Sequence, residues 1–254
     1  MGTVAVNGIN LAYSRRGKGT PLVLVHGFPL DRSSWDELLP LLEGQFDLIV
    51  PDLRGFGGST TTQSQYTISD MADDVAGLLD HLRIEKSIIV GHSMGGYVAL
   101  AFVKKFPQRV NGLGLISSQA AGDPPDRKEG RYKTAEDVGQ KGVNVVVEAL
   151  TPKLSADARV QKFVRDLIGR QRADGVIGAL KAMAEREDLT SSLSSVSLPL
   201  VLVHGDADAL IPIDRAREIK GLVPSADLTE LQGIGHMPMM EAAEKTAAAL
   251  KRLN

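Results

Sequence analysis

The stretch from Ile88 to Leu100 constrains the fold of this chain more than any other part of the sequence. It begins with three apolar, β-branched residues, passes through a glycine-rich turn that contains Ser93, and continues as a run of small and apolar residues. This order predicts a buried strand, a sharp turn and a helix. The turn has the pattern Gly-x-Ser-x-Gly, in which Gly91 and Gly95 leave room for a strained backbone at the serine. The stretch therefore predicts a strand-turn-helix unit with Ser93 at its tip.

Apolar runs alternate with amphipathic helical patterns along most of the chain. Strands are predicted at 3–6, 9–13, 21–25, 46–50, 87–90, 110–116, 198–203 and 227–231, and helices at 33–42, 69–82, 94–106, 215–221 and 240–253. The Asn7-Gly8 pair predicts a tight hairpin turn between the first two strands, because both turn positions need positive φ. The alternation predicts an α/β fold with a doubly wound, mostly parallel sheet of eight strands.

The pattern changes between residues 120 and 195. The segment opens with the chain-breaking cluster Gly122–Asp126 and then shows only helical periodicity, at 138–150, 156–168 and 173–184. An all-helical block between two strands of one sheet predicts an inserted helical cap at 120–195. The core domain is then formed by residues 1–119 and 196–254.

Composition excludes several classes of partner. The formal net charge of −2 gives no basis for binding nucleic acid or an anionic membrane. No apolar run approaches the roughly 20 residues that span a bilayer, and the first residues lack a signal-peptide pattern. The absence of cysteine excludes disulfides and thiolate metal ligands and fits a reducing compartment. We expect a cytoplasmic protein without a metal or other cofactor.

The polar residues of most interest all follow predicted strand ends. Ser93, Asp208, His236 and the loop 26–29 each come after a strand, and doubly wound sheets place their sites at the carboxyl ends of the strands. A serine hydroxyl is a poor nucleophile unless a base takes its proton and a third group orients that base. We therefore predict Ser93 as nucleophile, His236 as base and Asp208 as the orienting acid.

Other histidines and acids compete for these roles. We expect His26 and His92 to shape the backbone beside the site, and His26, His92, Pro29 and Met237 are candidates for lining a substrate pocket. Among the acids, the alternatives to Asp208 are Asp123, Asp206 and Asp214. The Gly-x-x-Asp-x-x-x-Pro frame at 205–212 favours Asp208, while Asp206 fits a turn-shaping role.

Acyl chemistry at a serine also requires donors for a developing oxyanion. The backbone N–H of Met94 directly follows the nucleophile. The second donor is expected from the loop after the 21–25 strand, at the N–H of Phe28.

Five motifs in this order resemble the α/β-hydrolase fold superfamily. They are Val25-His26-Gly27-Phe28-Pro29, Asp52-Leu53-Arg54-Gly55-Phe56-Gly57-Gly58-Ser59, Gly91-His92-Ser93-Met94-Gly95-Gly96, Gly205-Asp206-Ala207-Asp208 and Gly235-His236. The resemblance covers nearly the whole chain and is nearest to small serine carboxylesterases and to cofactor-free haloperoxidase or perhydrolase-like members. Epoxide hydrolases and haloalkane dehalogenases carry aspartate where this chain has Ser93, so those activities are not expected.

The resemblance implies a serine hydrolase that cleaves carboxylic esters through an acyl-enzyme, with a small-molecule ester as its only expected partner. Because the apolar stripes of the cap contain no obvious charged anchor, small to medium neutral esters are predicted. Basic cap residues such as Lys153 are assigned to a solvated face. The alternatives are a perhydrolase, suggested by Pro29, a lactonase, and a ligand-binding receptor built on the same fold.

Overall fold

A computed structural model of the protein describes residues 1–62, 64–195 and 197–254. Its centre is a sheet of eight strands in the order β1-β2-β4-β3-β5-β6-β7-β8. The strands are β1 (Gly2–Val6), β2 (Ile9–Gly17), β3 (Thr20–Val25), β4 (Phe46–Pro51), β5 (Ser87–His92), β6 (Val110–Ile116), β7 (Leu200–Gly205) and β8 (Asp227–Leu231). The predicted mostly parallel, eight-stranded sheet is confirmed.

Pairing within the sheet follows from how each strand is connected. The hairpin strand β2 pairs antiparallel with β1 and with β4, and every other pair is parallel. The hairpin turns at Asn7 and Gly8, whose φ values of 46° and 77° are the positive angles expected for this pair. The central strand β5 is buried along its whole length, as expected for a parallel strand covered by helices on both faces.

The described part of the chain contains ten α-helices. They are α1 (Leu39–Leu42), α2 (Ile68–His81), α3 (Met94–Lys105), α4 (Pro125–Lys141), α5 (Asn144–Leu154), α6 (Ala158–Gly169), α7 (Ala173–Ala184), α8 (Asp214–Leu222), α9 (Pro238–Glu241) and α10 (Ala243–Leu250). None of the described helices is long and apolar enough to cross a membrane.

Four predictions about helices were wrong. The predicted helix 138–150 is divided between α4 and α5, where Gly142 has a positive φ of 80°, and the predicted helix 240–253 is divided between α9 and α10. Proline accounts for the other two. The predicted helix 33–42 is a 3-10 turn, Arg32–Trp35, followed by the short α1. Pro40 has no N–H to extend a helix from the preceding turn. The cluster at 122–126, interpreted as a chain break, instead starts α4 with Pro125 as its first residue, a position that proline favours.

The cap helices, defined here as α4 to α7, lie between β6 and β7 in the chain. Helix α4 packs on α7, and α5 packs on α6. Helix α7 meets the loop after β4 closely at Gly175 and Gly55, where a side chain on either glycine would collide with the backbone of the other. The Tyr66 hydroxyl donates to the Gly175 carbonyl at 3.0 Å. The division into a core domain and a cap at 120–195 stays a prediction, and its boundary residue Val196 lies outside the described residues.

Candidate active site

Ser93 occupies a strained position between β5 and α3. Its backbone has φ 51° and ψ −115°, a combination that residues other than glycine seldom adopt. The surrounding structure holds this conformation through hydrogen bonds. The Ser93 N–H donates to the Ile116 carbonyl at 2.9 Å, and the Ser118 hydroxyl donates to the Ser93 carbonyl at 2.9 Å. The hydroxyl-bearing residue is therefore fixed at the carboxyl end of the central strand.

The two glycines of the Gly-x-Ser-x-Gly pattern are required by close backbone contacts. A Cβ atom on Gly91 would collide with the Gly95 carbonyl oxygen, and one on Gly95 would collide with the Val25 carbonyl oxygen. Helix α3 can approach β3 and β5 this closely only if both positions lack a side chain. The sequence pattern thus reports a packing requirement of the turn.

His236 is held by three elements of the fold. Its Nδ1 donates to Asp208 Oδ2 at 2.7 Å, and its backbone N–H donates to the carbonyl of Leu154, the last residue of α5, at 2.9 Å. His92 Nε2 donates to the His236 carbonyl at 2.8 Å. With Nδ1 committed to the carboxylate, Nε2 is the ring nitrogen that remains to accept a proton.

Asp208 carries a dense set of donors. Its Oδ1 accepts the backbone N–H groups of Leu210 at 2.8 Å and Ile211 at 3.0 Å. Its Oδ2 accepts His236 and lies 3.4 Å from His204 Nε2, which also donates to the Ile211 carbonyl at 2.8 Å. Burial alone would raise the pKa of the Asp208 carboxyl. The charge of His236 and the donated hydrogen bonds outweigh burial, so this pKa lies well below its usual range.

The competing acids have other partners. Asp206 Oδ1 accepts the Gly233 N–H at 2.6 Å, consistent with the turn-shaping role expected for it. Asp214 is paired with Arg217 at 3.0 Å and is largely exposed. Asp123, whose side chain is fully buried, contacts Arg186 at 2.8 Å, Arg131, and Arg127 at 3.6 Å. Among these four acids, and within the described residues, Asp208 is the one that forms a hydrogen bond with His236.

The structure does not place His26, Pro29, His92 or Met237 in the lining of the cavity beside Ser93. All four are buried, and their assignment to a substrate pocket stays a prediction that this lining does not support. The two histidine rings are held by backbone groups, His92 through its Nε2, which donates to the His236 carbonyl at 2.8 Å. His26 Nδ1 donates to the Gly27 carbonyl and its Nε2 accepts the Leu53 N–H, both at 2.9 Å. This geometry supports the expected backbone-shaping role instead.

Both buried histidines beside the turn are held neutral. Burial lowers the pKa of His26. Burial, together with the nearby charge of His236, lowers the pKa of His92 to about 3. Neither ring is therefore a cation at neutral pH, and His236 is the histidine that shares a cavity with Ser93.

A cavity of about 350 Å³ contains Ser93 and His236 in its lining. This is the lower end of the range for small-molecule sites, roughly 300–1,000 Å³. Much of its remaining wall comes from the cap helices and is apolar, including Leu150, Leu180 and Met183. A second cavity of about 370 Å³ shares Tyr97 with the first but contains neither Ser93 nor His236.

Basic residues in the first cavity were missed by the sequence analysis. Arg127 and Arg131 lie one turn apart on α4 and both line the cavity. Their i, i+4 spacing was the available signal, but the start of α4 was interpreted as a chain break. Lys153 is exposed, as expected, yet it also lines the cavity rather than only a solvated face.

The two backbone donors predicted for an oxyanion lie in suitable elements. Met94 is the first residue of α3, so its N–H has no partner within the helix and lies at the positive end of the helix dipole. Phe28 lies in the loop after β3 and lines the cavity with Ser93. Their role as an oxyanion hole stays a prediction.

Known proteins resemble this chain over nearly its full length. It is 36% identical over 236 residues to the dihydrolipoyllysine-residue acetyltransferase component of the acetoin cleaving system of Pseudomonas putida, covering 89% of this chain and 61% of that protein. The chain therefore spans less than two thirds of that relative's length. A thermophilic esterase from Thermogutta terrifontis, solved with malate bound, has a TM-score of 0.93 and 38% identity, covering 98% of this chain and 95% of the esterase.

A third comparison concerns the fold alone. The enol-lactonase from Burkholderia xenovorans LB400 has a TM-score of 0.92 at 24% identity and covers 99% of both chains. Residues 20–243 match the family model for the alpha/beta hydrolase fold. Together with the eight-stranded sheet and the turn at Ser93, this match shows that the chain belongs to the alpha/beta hydrolase family.

Proposed function

We propose that this protein is a serine hydrolase that cleaves carboxylic esters. The observation that carries the proposal is the 2.7 Å hydrogen bond from His236 Nδ1 to Asp208, formed beside a cavity that His236 shares with Ser93. A histidine oriented in this way presents Nε2 as a base, and a half-buried serine on a strained turn that lines the cavity is suited to act as the nucleophile. The esterase that is 38% identical to this chain supports the same reaction class.

The first half-reaction acylates Ser93. The Ser93 oxygen attacks the ester carbonyl carbon while its proton passes to His236 Nε2. The N–H groups of Phe28 and Met94 stabilise the oxyanion of the tetrahedral intermediate. The bond between the carbonyl carbon and the alcohol oxygen then breaks, and His236 returns its proton to the departing alcohol.

The second half-reaction releases the acid. His236 takes a proton from water, the resulting hydroxide adds to the acyl carbon, and the bond to Ser93 breaks as Ser93 regains the proton. Asp208 remains ionised throughout, because its pKa lies well below the usual range, and it stabilises the imidazolium formed in each half-reaction.

Replacing Ser93 with alanine tests the proposal. We expect kcat for a short-chain aryl ester to fall by about 10⁴-fold or more in Ser93→Ala. Ser194→Ala is the matched control, because the Ser194 hydroxyl donates to the Ser191 carbonyl in an exposed turn, and it should retain full activity. Undiminished turnover by purified Ser93→Ala would exclude Ser93 as the nucleophile.

The alternatives differ from ester hydrolysis in one reactant. A lactone is a cyclic ester, so a lactonase would use the same atoms and keep its leaving alcohol attached to the acyl group. A perhydrolase would use hydrogen peroxide in place of water in the second half-reaction. A panel of esters and lactones, with peracid measured alongside free acid, separates the three outcomes.

A further inference from the structure

The cavity beside Ser93 is apolar on much of its cap side but carries a basic band. The band consists of Arg127 and Arg131 on α4 and Lys153 near the end of α5. No carboxylate is among the described residues that line the cavity. An esterase for neutral substrates has no need of three cations in such a wall.

The charge of this band is only partly neutralised. Asp123 is the carboxylate that contacts Arg127 and Arg131, and it is shared with Arg186 at 2.8 Å. Arg186 does not line the cavity and also interacts at longer range with Asp188. The two arginines of the band and Lys153 together therefore carry more positive charge than Asp123 neutralises. A low-dielectric cavity with an excess of one sign of charge attracts ligands of the opposite sign.

Two of the three cations are available to a ligand. Arg127 is only loosely engaged, at 3.6 Å from Asp123 and 3.4 Å from the Leu210 carbonyl, and its side chain is 39% exposed. Lys153 has no ion pair within the described part of the chain. Arg131, by contrast, is mostly buried and is held against Asp123.

The band also lies close to the reacting groups. The carbonyl that Arg127 contacts belongs to Leu210, whose own N–H donates to Asp208 at 2.8 Å. Arg127, Ser93 and His236 line one cavity of about 350 Å³. A substrate with its ester carbonyl at Ser93 therefore needs only a short chain to bring an anionic group to the band.

We propose that the substrates of this enzyme are esters or lactones that carry an ionised carboxyl group, which Arg127 and Lys153 bind while the apolar wall holds the hydrocarbon chain. The proposal rests on the hydrolase activity proposed above and names its substrate class. It replaces the expectation of neutral esters. That expectation came from a sequence analysis that interpreted the start of α4 as a chain break and so did not place Arg127 and Arg131 on a helix beside the site. Arg131 adds to the positive field but is retained by Asp123.

Two pairs of aryl esters test the proposal, each differing only in charge. In the first pair, 4-nitrophenyl hydrogen adipate is compared with the 4-nitrophenyl ester of adipamic acid, which places the charge on the acyl side. In the second, 3-acetoxybenzoate is compared with 3-acetoxybenzamide, which places it on the leaving group. In at least one pair we expect the carboxylate to have a kcat/KM about tenfold above the amide, as expected for charge-assisted hydrogen bonds.

The variant Arg127→Gln/Lys153→Gln should bring that ratio down towards one, and Arg127→Glu/Lys153→Glu should invert it. The ratio corrects for any general loss of activity. The matched control is Lys133→Gln/Lys162→Gln, which removes the same charge from cap residues outside the cavity lining and should leave the ratio unchanged. Thermal unfolding of each variant checks that the cap remains folded.

The outcomes separate this proposal from the proposed hydrolase activity. A ratio above one that the cavity variants abolish and the control keeps supports the substrate class. A ratio at or below one in both pairs, or one that the cavity variants do not change, overturns the substrate class. If Ser93→Ala still abolishes turnover in that case, the hydrolase activity stands. If the wild-type protein hydrolyses none of the four esters faster than Ser93→Ala, the proposed activity itself fails.

Discussion

Two buried carboxylates, Asp208 and Asp123, show how similar positions acquire different chemistry. Each follows a strand of the sheet, Asp208 after β7 and Asp123 after β6, and both side chains are fully buried. Asp208 is surrounded by two histidines and two backbone N–H groups. Asp123 is surrounded by three arginines. Position at a strand end is thus shared, and the partners differ.

The partners decide what each carboxylate can do. A histidine gains and loses a proton near neutral pH, so a carboxylate that orients it can assist proton transfer. Arginine keeps its proton under all ordinary conditions. A carboxylate among arginines is therefore structural, and Asp123 joins Arg131 of α4 to Arg186, which follows α7. Both pKa values are lowered despite burial, so a lowered pKa alone does not identify a catalytic acid.

The largest expected difference between the two carboxylates is in turnover. Asp208→Asn should lower kcat by about 10⁴-fold, because the amide favours the wrong tautomer of His236 and cannot stabilise its cation. Asp123→Asn should retain most of the wild-type kcat for a neutral aryl ester. Steady-state kinetics of both variants, with the exposed Asp214→Asn as control, measures the contrast. Equal losses in Asp208→Asn and Asp123→Asn would contradict the distinction between the two sites.

The second difference is in stability. Asp123→Asn should lower the free energy of unfolding by about 3 kcal/mol at pH 7, because it leaves buried arginines without their counter-charge. The pKa of Asp123 is lowered in the folded state by Arg131 and Arg186, which outweigh the effect of burial. Its contribution is therefore present above the unfolded pKa of about 3.9 and is lost as the pH falls through the lower folded value.

Urea unfolding at pH 7, 5 and 3 checks both the size and the sign of this effect. The gap between the wild type and Asp123→Asn should be full at pH 7 and 5 and should narrow at pH 3. Asp137→Asn, which removes a surface carboxylate paired with Lys141 on the same helix, is the control. A gap that widens on acidification would reverse the assigned role of the arginines.

The smallest effect is expected from His204, the second histidine at Asp208. Its Nε2 lies 3.4 Å from Asp208 Oδ2 and donates to the Ile211 carbonyl at 2.8 Å. His204→Phe should lower kcat about tenfold. It removes the donor that holds the Ile211 carbonyl, in the segment whose N–H groups bind Asp208, and loss of a buried hydrogen bond costs roughly 1.5 kcal/mol. His204→Gln, which keeps a donor, should recover part of the loss. An equal loss of kcat in both variants would indicate that packing, not the donor, is what matters.

Much of the sheet and of the site was predictable because its signals are local. Strands β3, β5 and β7 contain continuous apolar runs and β4 and β6 are mostly apolar. The turn at Ser93 is marked by glycines that close packing requires. Asp208 and His236 were predictable because strand ends of a doubly wound sheet meet at one edge. The eight-stranded sheet was confirmed, and the assigned roles of Ser93, Asp208 and His236 stay predictions that the geometry supports.

The sequence by itself determined which segments form strands and which polar residues reach the edge of the sheet, because hydrophobic periodicity and turn residues act over a few positions. Only the tertiary structure decided which partners those residues have. It placed Asp123 among arginines, buried His26 and His92, and brought Lys153 into the lining of the cavity that contains Ser93. These contacts join residues far apart in the chain, and they depend on how the cap helices pack over the sheet, which no local pattern encodes.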